Sequence, residues 1–159
     1  MIYTYKAFLY KNESLQTQLL NLGKSTYKGG VVDRRYKILI VDDDPSALLL
    51  METILKPQGY DLVFQNDGRQ VIQVARQEKP DLILLDTMMP IFDGYLILTE
   101  IRDDKVLRKI PVVMVTALGQ DINKEIARKC GANAYMTKPI NYKELIKTVA
   151  YFLSGSTSL

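Results

Sequence analysis

Ile38-Leu39-Ile40-Val41-Asp42-Asp43-Asp44-Pro45 decides how the rest of the chain reads. Its apolar run does not alternate with polar residues, as expected of a strand buried on both faces. It runs straight into acids and then Pro45. Proline suits the first position of a helix, and Asp44 before it is a cap candidate. Working outward, the same unit recurs. Leu82-Ile83-Leu84-Leu85 runs into Asp86. Val112-Val113-Met114-Val115 stops at Thr116-Ala117. Ala134-Tyr135-Met136-Thr137 runs into Lys138-Pro139. If these runs lie parallel, their carboxyl ends share one edge, and three acids, a hydroxyl and an ammonium meet there.

Amphipathic stretches fill the intervals. A helix from Pro45 carries Ala47, Leu48, Met51, Ile54 and Leu55 at helical spacing and must stop before Pro57. Tyr60 to Phe64 reads as a second strand. Asp67 caps a helix to about Glu78, with Val71, Ile72, Val74 and Ala75 inward. After a loop from Asp86 to Asp93, a third helix presents Leu96, Ile97 and Ile101. Asp121 caps a fourth helix that ends at Gly131, a natural left-handed stop. Asn141 caps the last, with Leu145, Ile146, Val149 and Phe152 as its stripe.

Five strands alternating with five helices predict an α/β fold, a doubly wound (βα)5 sandwich of the flavodoxin-like kind. Right-handed crossovers make the order of its five-stranded parallel sheet 2-1-3-4-5. The switch point then lies between strands one and three, where such sheets bind ligands. Asp42, Asp43 and Asp86 end those two strands.

The 159 residues fit one domain plus an extension. We divide them into a basic N-terminal extension at 1–36, a domain at 37–153 and a tail at 154–159. Residues 1–37 hold seven Lys/Arg against two Asp/Glu, and the remainder fourteen against sixteen. The basic character belongs to the extension, so a pI near 8.9 is a poor argument for direct nucleic-acid binding by the domain. No apolar run approaches the ~20 residues needed to span a bilayer, and Met1 to Lys11 lacks the apolar centre of a signal peptide. The expected location is cytoplasmic, with no membrane partner. Cys130 stands alone, which excludes an internal disulfide and a cysteine metal site. Histidine is absent, so His-based catalysis and His–metal ligation are excluded. The chain cannot carry a phosphohistidine itself; in phosphotransfer between His and Asp it can only receive.

Carboxylates clustered at one edge raise each other's pKa unless a cation joins them. Mg²⁺ is the natural cation, taking oxygen ligands and keeping several waters. Mn²⁺ is its expected substitute. A lone Asp-Asp-Asp would read as a solvated turn and cap. With Asp86, Thr116 and Lys138 at three other strand ends, only Asp44 keeps that reading.

These residues resemble a response-regulator receiver domain of two-component signalling, of the chemotaxis-regulator kind. The resemblance covers about Lys37 to Leu153. It rests on residues 38–45, on Asp-Thr-Met-Met-Pro-Ile-Phe-Asp-Gly at 86–94, on Val-Met-Val-Thr-Ala at 113–117, and on Gly-Ala-Asn-Ala-Tyr-Met-Thr-Lys-Pro at 131–139. It implies Asp86 as phosphoryl acceptor. Asp43 would bind Mg²⁺ directly, Asp42 largely through water, and the main-chain carbonyl of Met88 would be a further ligand. Lys138 would pair with one phosphoryl oxygen and Thr116 would hydrogen-bond another. Lys138-Pro139 would be cis. Tyr135 matches the family's switch aromatic, turning inward as Thr116 moves toward the phosphoryl group. Met88 and Leu118 match positions lining the path of the hydrolytic water, and both are apolar, which predicts slow self-hydrolysis.

The expected partners are a sensor histidine kinase or phosphotransfer protein upstream. Downstream is a protein target on the face of the fourth helix, fifth strand and fifth helix. A homodimer stays open. Enzymatic activity is expected only as Mg-dependent self-phosphorylation from a phosphodonor and self-dephosphorylation. No output domain follows within the 159 residues, and a stand-alone receiver is expected, with the receiver of a DNA-binding regulator or hybrid kinase as the alternative. In the extension, Leu15, Leu19 and Leu22 suggest a short helix from Asn12 to Leu22, ended by Gly23; a disordered or loosely docked tail is the expected reading, with a partner-docking or self-association element as the alternative. Gly23-Lys24-Ser25-Thr26 is not a phosphate loop, because Gln18 stands where that loop needs glycine. An Asp-nucleophile phosphatase would need a second acid where Met88 stands. A flavin or nucleotide carrier would need a Gly/Ser/Thr-rich loop where the three aspartates stand.

Overall fold

The computed structural model describes residues 24–27, 30–90, 92–117 and 121–154. The expected helix at 12–22 and Leu118 lie outside them. The central sheet has β3 (Lys37–Val41), β4 (Asp61–Gln65), β5 (Leu82–Asp86), β8 (Val112–Thr116) and β9 (Ala134–Thr137). All pairings are parallel and the order is β4-β3-β5-β8-β9, which is the predicted 2-1-3-4-5. The crossovers are α1 (Pro45–Leu55), α2 (Val71–Glu78), α3 (Gly94–Asp103) and α4 (Asp121–Lys129), with α5 (Tyr142–Ser154) last.

Side-chain alternation sorts the core into two layers. Ile38, Ile40, Leu82, Leu84, Val113 and Val115 face α1 and α5. Leu39, Val41, Ile83, Leu85, Val112 and Met114 face α2, α3 and α4. Every residue of β5 and β8 is buried, as continuous apolar runs require.

Helix ends follow the caps. The Asp44 side chain accepts from Ser46 N–H, Asp93 from Tyr95 N–H, and Asn141 from the N–H groups of Lys143 and Glu144. Gly131 has φ +93°, the left-handed stop after α4. Some boundaries differ from the sequence reading. Tyr60 is buried just before β4 rather than starting it. Asp67 caps a 3₁₀ turn, Gly68–Gln70, that feeds α2. Asp121 is the first residue of α4. Leu96 is 65% exposed, because the buried positions of α3 are Gly94, Ile97, Leu98 and Ile101, and 96 falls on the opposite side.

The extension also supplies structure that the sequence reading did not assign. Before β3, β1 (Lys24–Tyr27) and β2 (Gly30–Arg35) pair antiparallel, with Tyr27 opposite Gly30, and β1 lies against α5. A short hairpin, β6 (Met88–Met89) with β7 (Phe92–Asp93), links β5 to α3.

Candidate functional site

The parallel register brings the carboxyl ends of β3, β5, β8 and β9 to one edge, and Asp42, Asp86, Thr116 and Lys138 stand there. Asp42, Asp86 and Thr116 are 0%, 3% and 0% exposed. Asp43 is half-buried. One carboxylate oxygen from each of Asp42, Asp43 and Asp86 lies within 4.8 Å of the other two. The Lys138 ammonium sits 2.8 Å from Asp42 Oδ2 and 3.4 Å from Asp86 Oδ1. The Asp44 N–H donates to Asp42 Oδ1 at 3.0 Å.

Two local features fix this arrangement. The Lys138 N–H donates to the Thr116 carbonyl at 2.6 Å, and Lys138-Pro139 is cis, as expected. On the other side, α3 begins hard against the end of β5. The Gly94 N–H donates to the Thr87 carbonyl at 3.1 Å. A Cβ on Gly94 would overlap the Asp86 carbonyl oxygen and lie 2.8 Å from Thr87 Cα. Only glycine permits that approach.

Electrostatics follow from burial. The Asp86 carboxyl is pushed above the usual range, chiefly because burial disfavours its charge; the Asp42 charge adds to this and Lys138 opposes it. For Lys138, burial is the largest single effect and acts downward. The hydrogen bond and charge of Asp42, with those of Asp86, outweigh it and hold the ammonium above its ordinary pKa. The edge thus carries three carboxylates against one ammonium.

The donor set fits a hard divalent cation. Its carboxylates are all oxygen ligands at sharing distance. The buried Asp42 Oδ2 has an ion pair with Lys138 but no hydrogen bond of good geometry, so a lone pair remains for a further cation. Asp43 also lines a cavity of about 390 Å³ with Asn66, Asp67, Met89 and Phe92. Met88 lies in β6 with its side chain 56% exposed, and its main-chain N–H donates to the Asp86 carboxylate.

Tyr135 stands opposite Met114 in the β8–β9 register and is half-buried against the α2–α4 layer. It shares a hydrogen bond with Tyr95 on α3, whose hydroxyl is pushed up to about 12, first by burial and then by Tyr135. Tyr95 and Thr87 are the residues that the sequence reading passes over. The Thr87 hydroxyl donates to the Thr116 hydroxyl inside the protein. The signal for Thr87 was the register: Asp86 pairs with Val115, which makes Thr87 and Thr116 the next pair.

Residues 38–150 match the response regulator receiver domain family. The chain belongs to that family. Among curated relatives it is 38% identical over 120 residues to the alkaline phosphatase synthesis transcriptional regulatory protein PhoP of Bacillus subtilis, a match covering 76% of this chain and 49% of PhoP. The chain therefore spans about half the length of that relative. It is 34% identical over 119 residues to PilH of Pseudomonas aeruginosa, covering 75% of this chain and 98% of PilH. Among solved structures, a putative response regulator from Chloroflexus aurantiacus superposes with a TM-score of 0.73 at 30% identity, covering 76% of this chain and 99% of that one. Receiver domains are signalling modules of two-component systems rather than enzymes acting on separate substrates, and the family binds a divalent metal. Among the described residues no helix is long and apolar enough to cross a membrane.

Proposed function

We propose that Asp86 of this receiver accepts a phosphoryl group from the phosphohistidine of a sensor histidine kinase or phosphotransfer protein. The observation that carries the reading is the buried Asp86 carboxylate, ion-paired to Lys138 and sharing ligand distance with Asp42 and Asp43. Those three acids, with the main-chain carbonyl of Met88, would hold Mg²⁺. When bound, Mg²⁺ neutralises charge on the equatorial oxygens of the phosphoryl group in transfer.

The chain's own groups do the rest. An Asp86 oxygen attacks phosphorus, the bond from phosphorus to the donor nitrogen breaks, and the electron pair leaves with the imidazole. Burial raises the Asp86 pKa, so the carboxylate is poorly solvated and nucleophilic once ionised. Lys138 pairs with one phosphoryl oxygen and Thr116 donates to another. The product is an acyl phosphate, labile enough for a reversible signal. As Thr116 follows the phosphoryl group, Tyr135 repacks behind it, and the α4–β9–α5 surface changes for a downstream protein. The chain works in the cytoplasm as a phosphorylation-dependent binding switch, stand-alone or as the receiver of a larger regulator.

The test is incubation with Mg²⁺ and acetyl phosphate, followed by mass spectrometry. A single labile phosphoryl adduct on the wild type, absent from Asp86→Asn, is expected. An adduct that persists in Asp86→Asn removes the assignment.

A further inference from the structure

We infer that Gly68 and Phe92 are positioning residues for the metal, a spacer that fixes where the Met88 carbonyl stands relative to Asp42 and Asp43. The inference rests on the metal reading above and concerns residues outside the ligand set. β6 and β7 are two residues each, with Met88 opposite Asp93 and Met89 opposite Phe92. The base of this hairpin is held. The Gly94 N–H donates to the Thr87 carbonyl, and the Met88 N–H donates to the Asp86 carboxylate. The Met88 carbonyl, however, lies in the rigid peptide plane that it shares with Met89. Its direction therefore depends on Met89, and through the pairing on Phe92.

Phe92 rests on Gly68. A Cβ on Gly68 would lie 2.6 Å from both Cβ and Cγ of Phe92 and 3.1 Å from its Cδ2. The Phe92 Cβ moves only with the backbone, so turning the ring cannot relieve that overlap. Gly68 is buried and opens the 3₁₀ turn before α2. Its own place is referred back to β3. The Asp42 N–H donates to the Gln65 carbonyl at 3.1 Å, the Gln65 side chain accepts from the Asp67 N–H at 2.9 Å, and the Asp67 side chain caps the turn. A continuous path thus runs from the Asp42 backbone through Gln65, Asp67, Gly68 and Phe92 to Met89. Asp43, Gly68, Met89 and Phe92 also line the cavity of about 390 Å³, so the hairpin is braced at Gly68 and not across that space. Mg²⁺ demands near-ideal octahedral geometry, so a ligand carried on a two-residue hairpin needs such a brace. Gly68 and Phe92 touch no metal in this scheme. They act through the Met88–Met89 peptide.

The test uses the full chain, titrated with Mg²⁺ and followed by amide NMR shifts, with urea denaturation in EDTA run on each variant. Gly68→Ala should weaken Mg²⁺ binding roughly 10-fold, the scale of losing a group that orients a ligand. Phe92→Ala removes Cγ and the ring and should weaken it similarly. Phe92→Leu keeps Cβ and Cγ and should stay close to wild type. In the double variant Gly68→Ala with Phe92→Ala the losses should not add, because both act on one carbonyl. Variants that lose stability in EDTA but keep full Mg²⁺ affinity overturn the inference, as does a Phe92→Leu that loses as much affinity as Phe92→Ala. Should Gly68→Ala not fold, the two Phe92 variants decide by the same outcomes. A wild type without saturable Mg²⁺ shifts overturns the metal reading and this inference together. Normal wild-type binding with Gly68→Ala and Phe92→Ala unchanged overturns this inference alone.

Discussion

At the scale of single residues, the site is held in an unfavourable charge state by the fold around it. Folding raises the pKa of Asp86 above its ordinary 3.8. A carboxyl raised on folding opposes folding when ionised: the penalty is absent at pH values below the ordinary range and is complete above the raised pKa. Asp86→Asn removes it. In metal-free buffer at neutral pH that variant should be more stable by roughly 1 kcal/mol, the common scale for relieving an unfavourable charge, or about 3–5 °C in Tm. The gain should fade as pH drops into the carboxylate range. A thermal-denaturation series in EDTA from pH 3 to 8 reads this directly; a variant that melts lower throughout would show that Lys138 needs Asp86 more than burial penalises it. Met88 poses a kinetic question instead. Its side chain is 56% exposed beside the acceptor and apolar. A polar replacement can orient water toward phosphorus, so Met88→Asn should shorten the acyl-phosphate lifetime several-fold. Timed phosphate release after removal of donor measures it, and an unchanged lifetime counts against a role for this position.

At the scale of elements, the junction of β5 with α3 governs the acceptor. Gly94 has no room for a Cβ, since Thr87 Cα would lie 2.8 Å away and the Asp86 carbonyl closer still. Gly94→Ala should lower stability by about 1–3 kcal/mol, the usual scale of overpacking, and should also depress acetyl-phosphate labelling, because relief of the clash moves Asp86. Urea denaturation and labelling on the same sample separate the two effects; a fully stable, fully labelled variant would show that α3 can slide without disturbing the site. Elements were legible in the sequence where one local rule dominated. Uninterrupted apolar runs marked β3, β5 and β8, and Asp44 and Asn141 stood at helix starts as caps. The failures have local causes too. Leu96 satisfied the apolar count of α3 but not its phase. The β1–β2 hairpin lies in a basic segment without an apolar run, and its signal was only the glycine pair after Tyr27-Lys28. Thr87 carried no motif of its own. Its meaning came from the pairing of two strands 29 positions apart.

At the scale of the whole molecule, the site is part of the same sheet that builds the core. Four of the five central strands end in a group that would face the ion or the phosphoryl oxygens, and the same strands fill both apolar layers. Separating the acids therefore requires breaking the sheet. A divalent ion that binds the native edge and not the unfolded chain must stabilise the entire domain by mass action. At one hundred times its dissociation constant, Mg²⁺ should add about 2.7 kcal/mol to unfolding. The effect should be lost in Asp43→Asn and strongly reduced in Asp86→Asn. The stability order of wild type and Asp86→Asn should then invert: the variant melts higher in EDTA, and the wild type melts higher in excess Mg²⁺. The inversion follows because the same three carboxylates, crowded within 4.8 Å, repel without the ion and become its ligands with it. Melting curves of both proteins across a Mg²⁺ titration decide the matter. Parallel curves that never cross would mean that the acidic edge does not hold the metal.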